Sequence, residues 1–224
     1  MPARVYLVRH GATALSTEDR FAGETDVPLS DSGRAQLRAL ADRLAHEPLS
    51  TVYASPMRRT LESAGILAGP HGLPVVPVPA LREISHGRWE TKTRREVEAL
   101  WPEEYARWDS DPYTFAPEGG ESGLAVTARA LPALIGLVAA QADRTFLVVS
   151  HKATIRLLLS ALLGFDPRFY RDRLDQSPAC LNVLDFRDPS HARLTLFNDV
   201  SHYARGAPGT PTAHLSKWWD APKP

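Results

Sequence analysis

The sequence predicts an α/β fold: a three-layer αβα sandwich around a mostly parallel, Rossmann-like central sheet, with late edge strands. Three observations carry this reading. Short apolar, β-branched runs alternate with longer segments of helical periodicity, the pattern of a parallel sheet covered on both faces. Charged residues follow directly after the apolar runs, where open α/β sheets bind ligands. Two further apolar runs succeed one another near the end, as in a hairpin.

The elements can be justified in order. Val5-Tyr6-Leu7-Val8 reads as a buried strand, followed by a loop to about Gly33. From Arg34 to His46, Leu37, Leu40, Ala41 and Leu44 make a helical stripe closed by Pro48. Thr51–Ala54 is a second strand, and Met57 to Ala68 a helix bounded by Pro56 and Gly69-Pro70. Val75–Val78 is a third strand whose Pro77 suits an edge or a strand end. Arg94 to Trp108 reads as one helix carrying Val97, Leu100, Trp101 and Trp108. A glycine-rich turn, Pro117 to Gly123, opens a long helix to about Ala142, with Pro132 as a point of kinking. Phe146–Val149 is the most strand-like run, and Thr154 to Leu163 is an apolar helix ended by Gly164. Leu181–Phe186 and Leu194–Phe197 complete the set. Residues 1–203 are read as one domain. Residues 204–224, rich in Pro, Gly and Thr, are read as a tail that Trp218 and Trp219 could pin to the body.

Composition bounds the function. The 224 residues are 43% hydrophobic and 23% charged, with 26 Lys+Arg against 26 Asp+Glu and a formal net charge of +0. That is an ordinary globular balance, and it argues against a nucleic-acid partner, which would need a basic surplus. The single cysteine, Cys180, excludes an intrachain disulfide and disfavours a thiolate zinc site. No apolar run reaches spanning length; the best, Ala130 to Ala140, is short and holds Pro132. Four apolar residues before Arg9 are too few for a signal-peptide core. The expectation is a cytoplasmic protein with no membrane partner. A homodimer is compatible with the sequence.

The strand ends carry the chemistry. Arg9, His10 and Gly11 follow the first run; Ser55 to Arg59 the second; Leu81, Arg82 and Glu83 the third; Ser150, His151 and Lys152 the fourth. Two histidines, at least two arginines and a carboxylate can therefore meet at one end of the sheet. Guanidinium forks match phosphate oxygens, and amides at the start of the helix after His151 would add positive potential. A neutral imidazole is a competent nucleophile, and a buried carboxylic acid with a raised pKa could protonate a leaving oxygen. Phosphoryl transfer is mostly positioning and charge stabilisation, so this kit needs no metal or cofactor. There is no HExxH pair, GxSxG elbow, Walker loop or GxGxxG.

These residues resemble a known family. Arg9-His10-Gly11-Ala12-Thr13 is similar to the RHGxT signature of the histidine phosphatase superfamily. The resemblance continues in order through Gly23 to Ser30 with Gly33, Ser55-Pro56-Met57-Arg58-Arg59-Thr60, Leu81 to Ile84 with Gly87 to Glu90, Gly119 to Ser122 with Arg129, and Val148 to His151. It implies that His10 becomes phosphohistidine and that Arg9, Arg59 and His151 hold the phosphoryl oxygens. It also implies that Glu83 is general acid and then base, and that the backbone near Gly23 lines the substrate mouth. Arg58, by contrast, is read as a solvated helix-face residue.

The sequence also departs from the family pattern. Ser16 stands where many members have a phosphate-contacting asparagine, His86 where an aromatic residue is common, and Thr91 and Lys152 where glycine is usual. Ser16, Gly23 and Lys152 are carried as substrate-binding candidates, Lys152 facing either a second anionic group or solvent. His46, His71, His191 and His214 read as surface residues. The expected function is metal-independent hydrolysis of a small phosphorylated metabolite. A phosphoglycerate mutase is the alternative, disfavoured by the compact stretch between Gly87 and Gly119, which has no late arginine pair. A non-catalytic binding protein of the same fold is the third reading.

Overall fold

The computed structural model describes residues 2–17 and 20–204. The elements run β1 Ala3–Arg9, α1 Ala14–Thr17, α2 Asp31–Leu44, β2 Leu49–Ala54, α3 Arg58–Ala68, β3 Val75–Pro77, α4 Arg94–Leu100, α5 Pro102–Ser110, α6 Gly123–Ala140, β4 Thr145–Ser150, α7 Lys152–Leu163, α8 Tyr170–Arg173, β5 Leu181–Asp188, β6 His191–Asp199 and α9 Ser201–Ala204. The strand order is β3-β2-β4-β1-β5-β6. Strands β1, β2, β3 and β4 pair parallel, whereas β5 runs antiparallel to β1, and β6 to β5. Of the two late strands only β6 is an edge; β5 lies inside the sheet against β1, and β3 forms the other edge.

Strand side chains alternate between faces, and the core divides accordingly. Tyr6, Val8, Val52, Leu147 and Val149 pack with Leu37, Leu40 and Leu44 of α2 and Ala64 and Leu67 of α3. Val5, Leu7, Tyr53, Phe146 and Val148 pack with Ala130, Leu134 and Val138 of α6 and Ile155, Leu158 and Leu159 of α7. The three layers expected from the sequence are thus present. α6 is long and apolar enough to cross a membrane by length and composition, beyond what the shorter 130–140 run suggested. Here it lays one face on the sheet, with Pro132 accommodated within its span.

Several boundaries differ from expectation for local reasons. α2 begins at Asp31 because the Ser30 side chain accepts from the Gly33 amide. The single helix expected over 94–108 is two: Trp101 takes φ −140°, ψ 66°, and Pro102 starts α5. α4 is opened by a capping box between Thr93 and Glu96. α8 and α9, four residues each, were not expected. Ala204 closes α9; the rest of the expected tail, Trp218 and Trp219 included, lies outside the described residues.

Two backbone positions explain motif residues. Gly87 has φ +51°, and a Cβ there would lie 2.1 Å from the Glu118 carbonyl oxygen, so the loop bearing Trp89 packs backbone to backbone on the Gly119-Gly120 turn. Thr91 has φ 67°, in the left-handed region that a β-branched residue enters at a cost. Thr91→Gly is expected to stabilise the protein by about 0.5–1 kcal/mol, the relieved strain being partly offset by the freer unfolded chain; urea denaturation reads this directly.

Candidate active site

The site follows from strand register. β1 and β4 pair parallel with Arg9 opposite Ser150, so the next residue of each strand, His10 and His151, emerges beside the other. Their ring centroids are 5.2 Å apart at 63°. His10 is 5% exposed and His151 fully buried. The His10 Nδ1–H donates to the Gly11 carbonyl at 2.8 Å; a carbonyl can only accept, so this bond fixes the tautomer and leaves a lone pair on Nε2. His151 Nε2 meets the Ser55 hydroxyl at 2.7 Å, and its buried Nδ1 has no hydrogen-bond partner. Burial, then the Arg9 and Arg59 guanidiniums, push His10 well below 6.5. Burial, then Arg59, His10 and Arg9, do the same to His151. Both rings are therefore neutral at pH 7.

Arg9 and Arg59 are buried charges held by backbone carbonyls. Arg9 Nη1 donates to Gln176 O at 2.6 Å, while its buried Nε has no partner. Arg59, 1% exposed, donates to the carbonyls of Thr25 and Gly23 at 2.9 and 2.8 Å. Arg58 is exposed, and its amide donates to Asp26 Oδ1, which caps α3 from outside because Met57 at the N-cap has no capping side chain. The 23–25 loop is itself stapled by Glu90, whose carboxylate accepts from the amides of Gly23, Glu24, Thr25 and His86 and from the Thr25 hydroxyl. Burial alone would raise Glu90, but these hydrogen bonds outweigh it and hold the carboxyl below 4.5.

Glu83 is 6% exposed. Its Oε1 accepts from the Ile84 and Thr154 amides and the Thr154 hydroxyl, and its Oε2 from the Ala153 amide alone. This corrects one expectation: two amides in the first turn of α7 are engaged by Glu83 rather than offered to a phosphoryl group. The backbone around Glu83 is fixed by Arg129, which donates to the carbonyls of Ala80, Arg82 and Glu83 and pairs with Glu121 through two nitrogens. The 119–122 turn with Arg129 therefore positions the carboxylate from behind.

A cleft opens over these groups. It is lined by Arg9, His10, Ser16, Arg59, Glu83 and Lys152 from the expected set. His151 lies behind His10 and does not line it. Gly23 itself does not line it, against expectation, although Phe21 and Ala22 just before it do. A Cβ at Gly23 would come within 2.0 Å of the Ile84 carbonyl oxygen, so this buried glycine permits close backbone approach and lends its carbonyl to Arg59. The Ser16 hydroxyl donates to Thr13 O and accepts from the Thr13 amide.

Sequence reasoning missed other wall residues, namely Arg20, Arg94, Arg156, Tyr170 and Arg171. Arg156 had a signal, a charge amid an otherwise apolar helix. Arg171 lies 4.2 Å from the Trp108 ring, on the cluster of Phe21, Trp89, Trp108 and Phe115 that roofs the cleft. Among the described residues no group of three or more His, Cys, Asp and Glu is arranged to hold a metal ion.

A cationic cup over two neutral imidazoles, at the carboxyl ends of parallel strands, is the environment of an enzyme that handles phosphoryl groups. The family model of the histidine phosphatase superfamily (branch 1) matches residues 5–200. A glucosyl-3-phosphoglycerate phosphatase of Mycolicibacterium vanbaalenii is 38% identical over 168 residues, 72% of this chain and 74% of its own. A probable phosphoglycerate mutase, GpmB, of Yersinia enterocolitica is 33% identical over 83% of this chain and 86% of its own. The solved structure of Bacillus stearothermophilus YhfR superposes with a TM-score of 0.83 at 30% identity, covering 89% of this chain and 98% of that one. The chain belongs to the histidine phosphatase superfamily, and its enzyme class is phosphatase.

Two outcomes test the geometry. Glu90→Gln is expected to lower kcat/KM by about tenfold and stability by about 1–3 kcal/mol, since the loop holding Arg59 loses a carboxylate acceptor. The histidines set a pH dependence. Their folded pKa values lie below the unfolded 6.5, so the unfolded chain takes up protons first, and stability present above pH 6.5 is lost as the pH falls from there toward the folded values. Unfolding free energies measured across that window should decline in the wild type and decline less in His10→Asn.

Proposed function

We propose that the protein hydrolyses small phosphomonoesters through a phosphohistidine on His10. The observation that carries this is the Nδ1–H bond of His10 to Gly11 O, which leaves Nε2 unprotonated in a cleft walled by Arg9 and Arg59. Nε2 attacks phosphorus, the phosphorus–ester oxygen bond breaks, and the leaving oxygen takes a proton from Glu83, whose Oε2 has one hydrogen-bond partner against three on Oε1. Water then attacks the phosphohistidine and gives its proton to Glu83. The phosphorus–nitrogen bond breaks, its electron pair returns to Nε2, and inorganic phosphate leaves.

Through both steps Arg9 and Arg59 hold the phosphoryl oxygens. His151, neutral beside His10 but outside the cleft lining, carries an unpartnered Nδ1 that reaches the same oxygens only when its ring turns toward the cleft. Dry burial strengthens each of these interactions relative to water. The substrate class follows from the named relatives, which act on small phosphorylated metabolites. Hydrolysis is favoured over a mutase reaction by the 87–119 stretch, which folds as the short helices α4 and α5 under the aromatic roof.

Hydrolysis of p-nitrophenyl phosphate is expected to survive EDTA and to fall by at least about a thousandfold in His10→Ala. Wild type incubated with labelled substrate and quenched in alkali should carry label on His10 that survives base and is lost in acid. Full activity in His10→Ala would overturn this mechanism.

A further inference from the structure

The two residues that leave β1 are held by one turn. Arg9 Nη1 donates to Gln176 O, the Arg9 amide donates to Cys180 O at 3.3 Å, and the Ala179 amide donates to His10 O at 3.1 Å. The turn over 176–180, between α8 and β5, therefore sits against both Arg9 and His10. Among the described residues the Gln176 carbonyl is the hydrogen-bond partner of the Arg9 side chain, whose buried Nε has none. Where that carbonyl points, the guanidinium follows.

Its direction is set from the other end of the same peptide unit. Gln176 O and the Ser177 N–H belong to one planar trans peptide and point opposite ways. The Ser177 N–H donates to Asn198 Oδ1 at 2.7 Å. Anchoring one end of the unit at Asn198 aims the other at Arg9.

The local backbone suits Asn198 to this. Between Leu181 and Val183 the register advances two residues on β5, while from Leu196 to Asp199 it advances three on β6, a bulge that contains Asn198. Asn198 has φ +48°, in the left-handed region that asparagine enters more readily than most residues. Its amide donates to Asn182 Oδ1 at 2.9 Å.

Asn182 is fully buried on the interior strand β5, opposite Leu7 of β1. Its Nδ2 donates to Leu7 O and Gln176 Oε1, and its Oδ1 accepts from Gln176 Nε2 and Asn198 N, so its hydrogen-bonding capacity is filled. Leu7 O can only accept and the Asn198 N–H only donate, which fixes this side-chain amide and, through it, that of Gln176. A buried network satisfied in this way holds the turn, β1, β5 and β6 as one unit.

We propose that Asn198, outside the cleft lining, is a positioning residue for phosphoryl binding: through the Gln176–Ser177 peptide it sets the direction of the Arg9 guanidinium. This rests on the reading of Arg9 as a phosphoryl-holding group and extends that site to the edge strand of the sheet. A merely structural role would secure the end of β6 and leave phosphate affinity alone.

Two variants separate the roles. Asn198→Gly tolerates the left-handed backbone and removes Oδ1; Asn198→Asp keeps an acceptor there. Both are compared with the wild type, under conditions where urea unfolding shows each to be folded, by kcat and KM for p-nitrophenyl phosphate and by calorimetric binding of inorganic phosphate. Asn198→Gly is expected to weaken phosphate binding and to lower kcat/KM by about tenfold or more, the scale on which small misplacements act. Asn198→Asp is expected to recover most of both. In an Arg9→Gln background, Asn198→Gly is expected to cost about twofold at most in kcat/KM, because the group it positions is gone. Where Asn198→Gly does not fold, Asn198→Ser, whose hydroxyl is one bond shorter, takes its place. Wild-type phosphate affinity in the folded Gly or Ser variant, an Asp variant no better than it, or an equal loss with and without Arg9 overturns the proposal. Absence of turnover on every ester would strike the phosphatase reading, while phosphate affinity would still decide the role of Asn198. A wild type that binds no phosphate overturns both.

Discussion

The parallel register of β1 on β4 is the constraint on which the site depends. With Arg9 opposite Ser150, the two residues leaving the strands are histidines at adjacent positions, and no loop conformation has to be recruited to bring them together. The helices covering the sheet reinforce the arrangement. α2, which follows β1, packs on one face and α7, which follows β4, on the other. Chain departing to opposite sides of neighbouring strands opens a crevice at their carboxyl ends, and the dyad stands in that crevice. A slip of one residue in this pairing would separate the rings and turn the strand's apolar residues to the wrong faces.

Around the dyad, the charged residues divide into those that meet the cleft and those that hold them. Glu90, Glu121 and Arg129 are as much part of the motifs as Glu83 or Arg59, yet their partners are backbone amides and carbonyls, each other, the Thr25 hydroxyl and Arg82. Glu90 fixes the loop whose carbonyls hold Arg59, and Arg129 fixes the segment that carries Glu83. This matters energetically. A buried guanidinium or carboxylate is stable only with its hydrogen-bonding capacity largely met, and carbonyls aimed at Arg59 or amides aimed at Glu83 do this without cancelling the net charge that a substrate meets. The neutral histidines complete the balance: surrounded by guanidiniums, they avoid adding charge to an already cationic cup.

The layered architecture and the convergence of chemistry were legible in the sequence because both depend on strand runs and on the residues immediately after them. The Val5–Val8 and Phe146–Val149 runs are short, apolar and bounded, so the residues at their carboxyl ends could be located within one position. Buried Arg59 was distinguished from exposed Arg58 only through the resemblance, since both sit at the start of the same helix. The features that were not legible depend on tertiary contact. The amides at the start of α7 looked available until Glu83, some seventy residues earlier, folded onto them. Gly23 looked like a lining residue, and only the approach of Ile84 shows that the absence of a side chain is what counts there. Arg156 and Arg171 were absorbed into helical or irregular stretches because no local pattern says which way a single charge will face.

The departures from the family pattern have a common location. Ser16 and Lys152 lie on the cleft wall, His86 packs 4.8 Å from Phe21 at its edge, and Thr91 closes the turn beneath the same roof. None replaces a group in the inner cup of Arg9, His10, Arg59, Glu83 and His151. The inner cup is bound by strand register and by interlocked backbone hydrogen bonds, where a change in one residue disturbs several others. The rim residues project from helix faces and loops, where a change alters the charge or shape met by a leaving group and little else. A fold built this way can keep one phosphoryl-transfer chemistry while its choice of ester drifts, because the two properties reside in different layers of the same cleft.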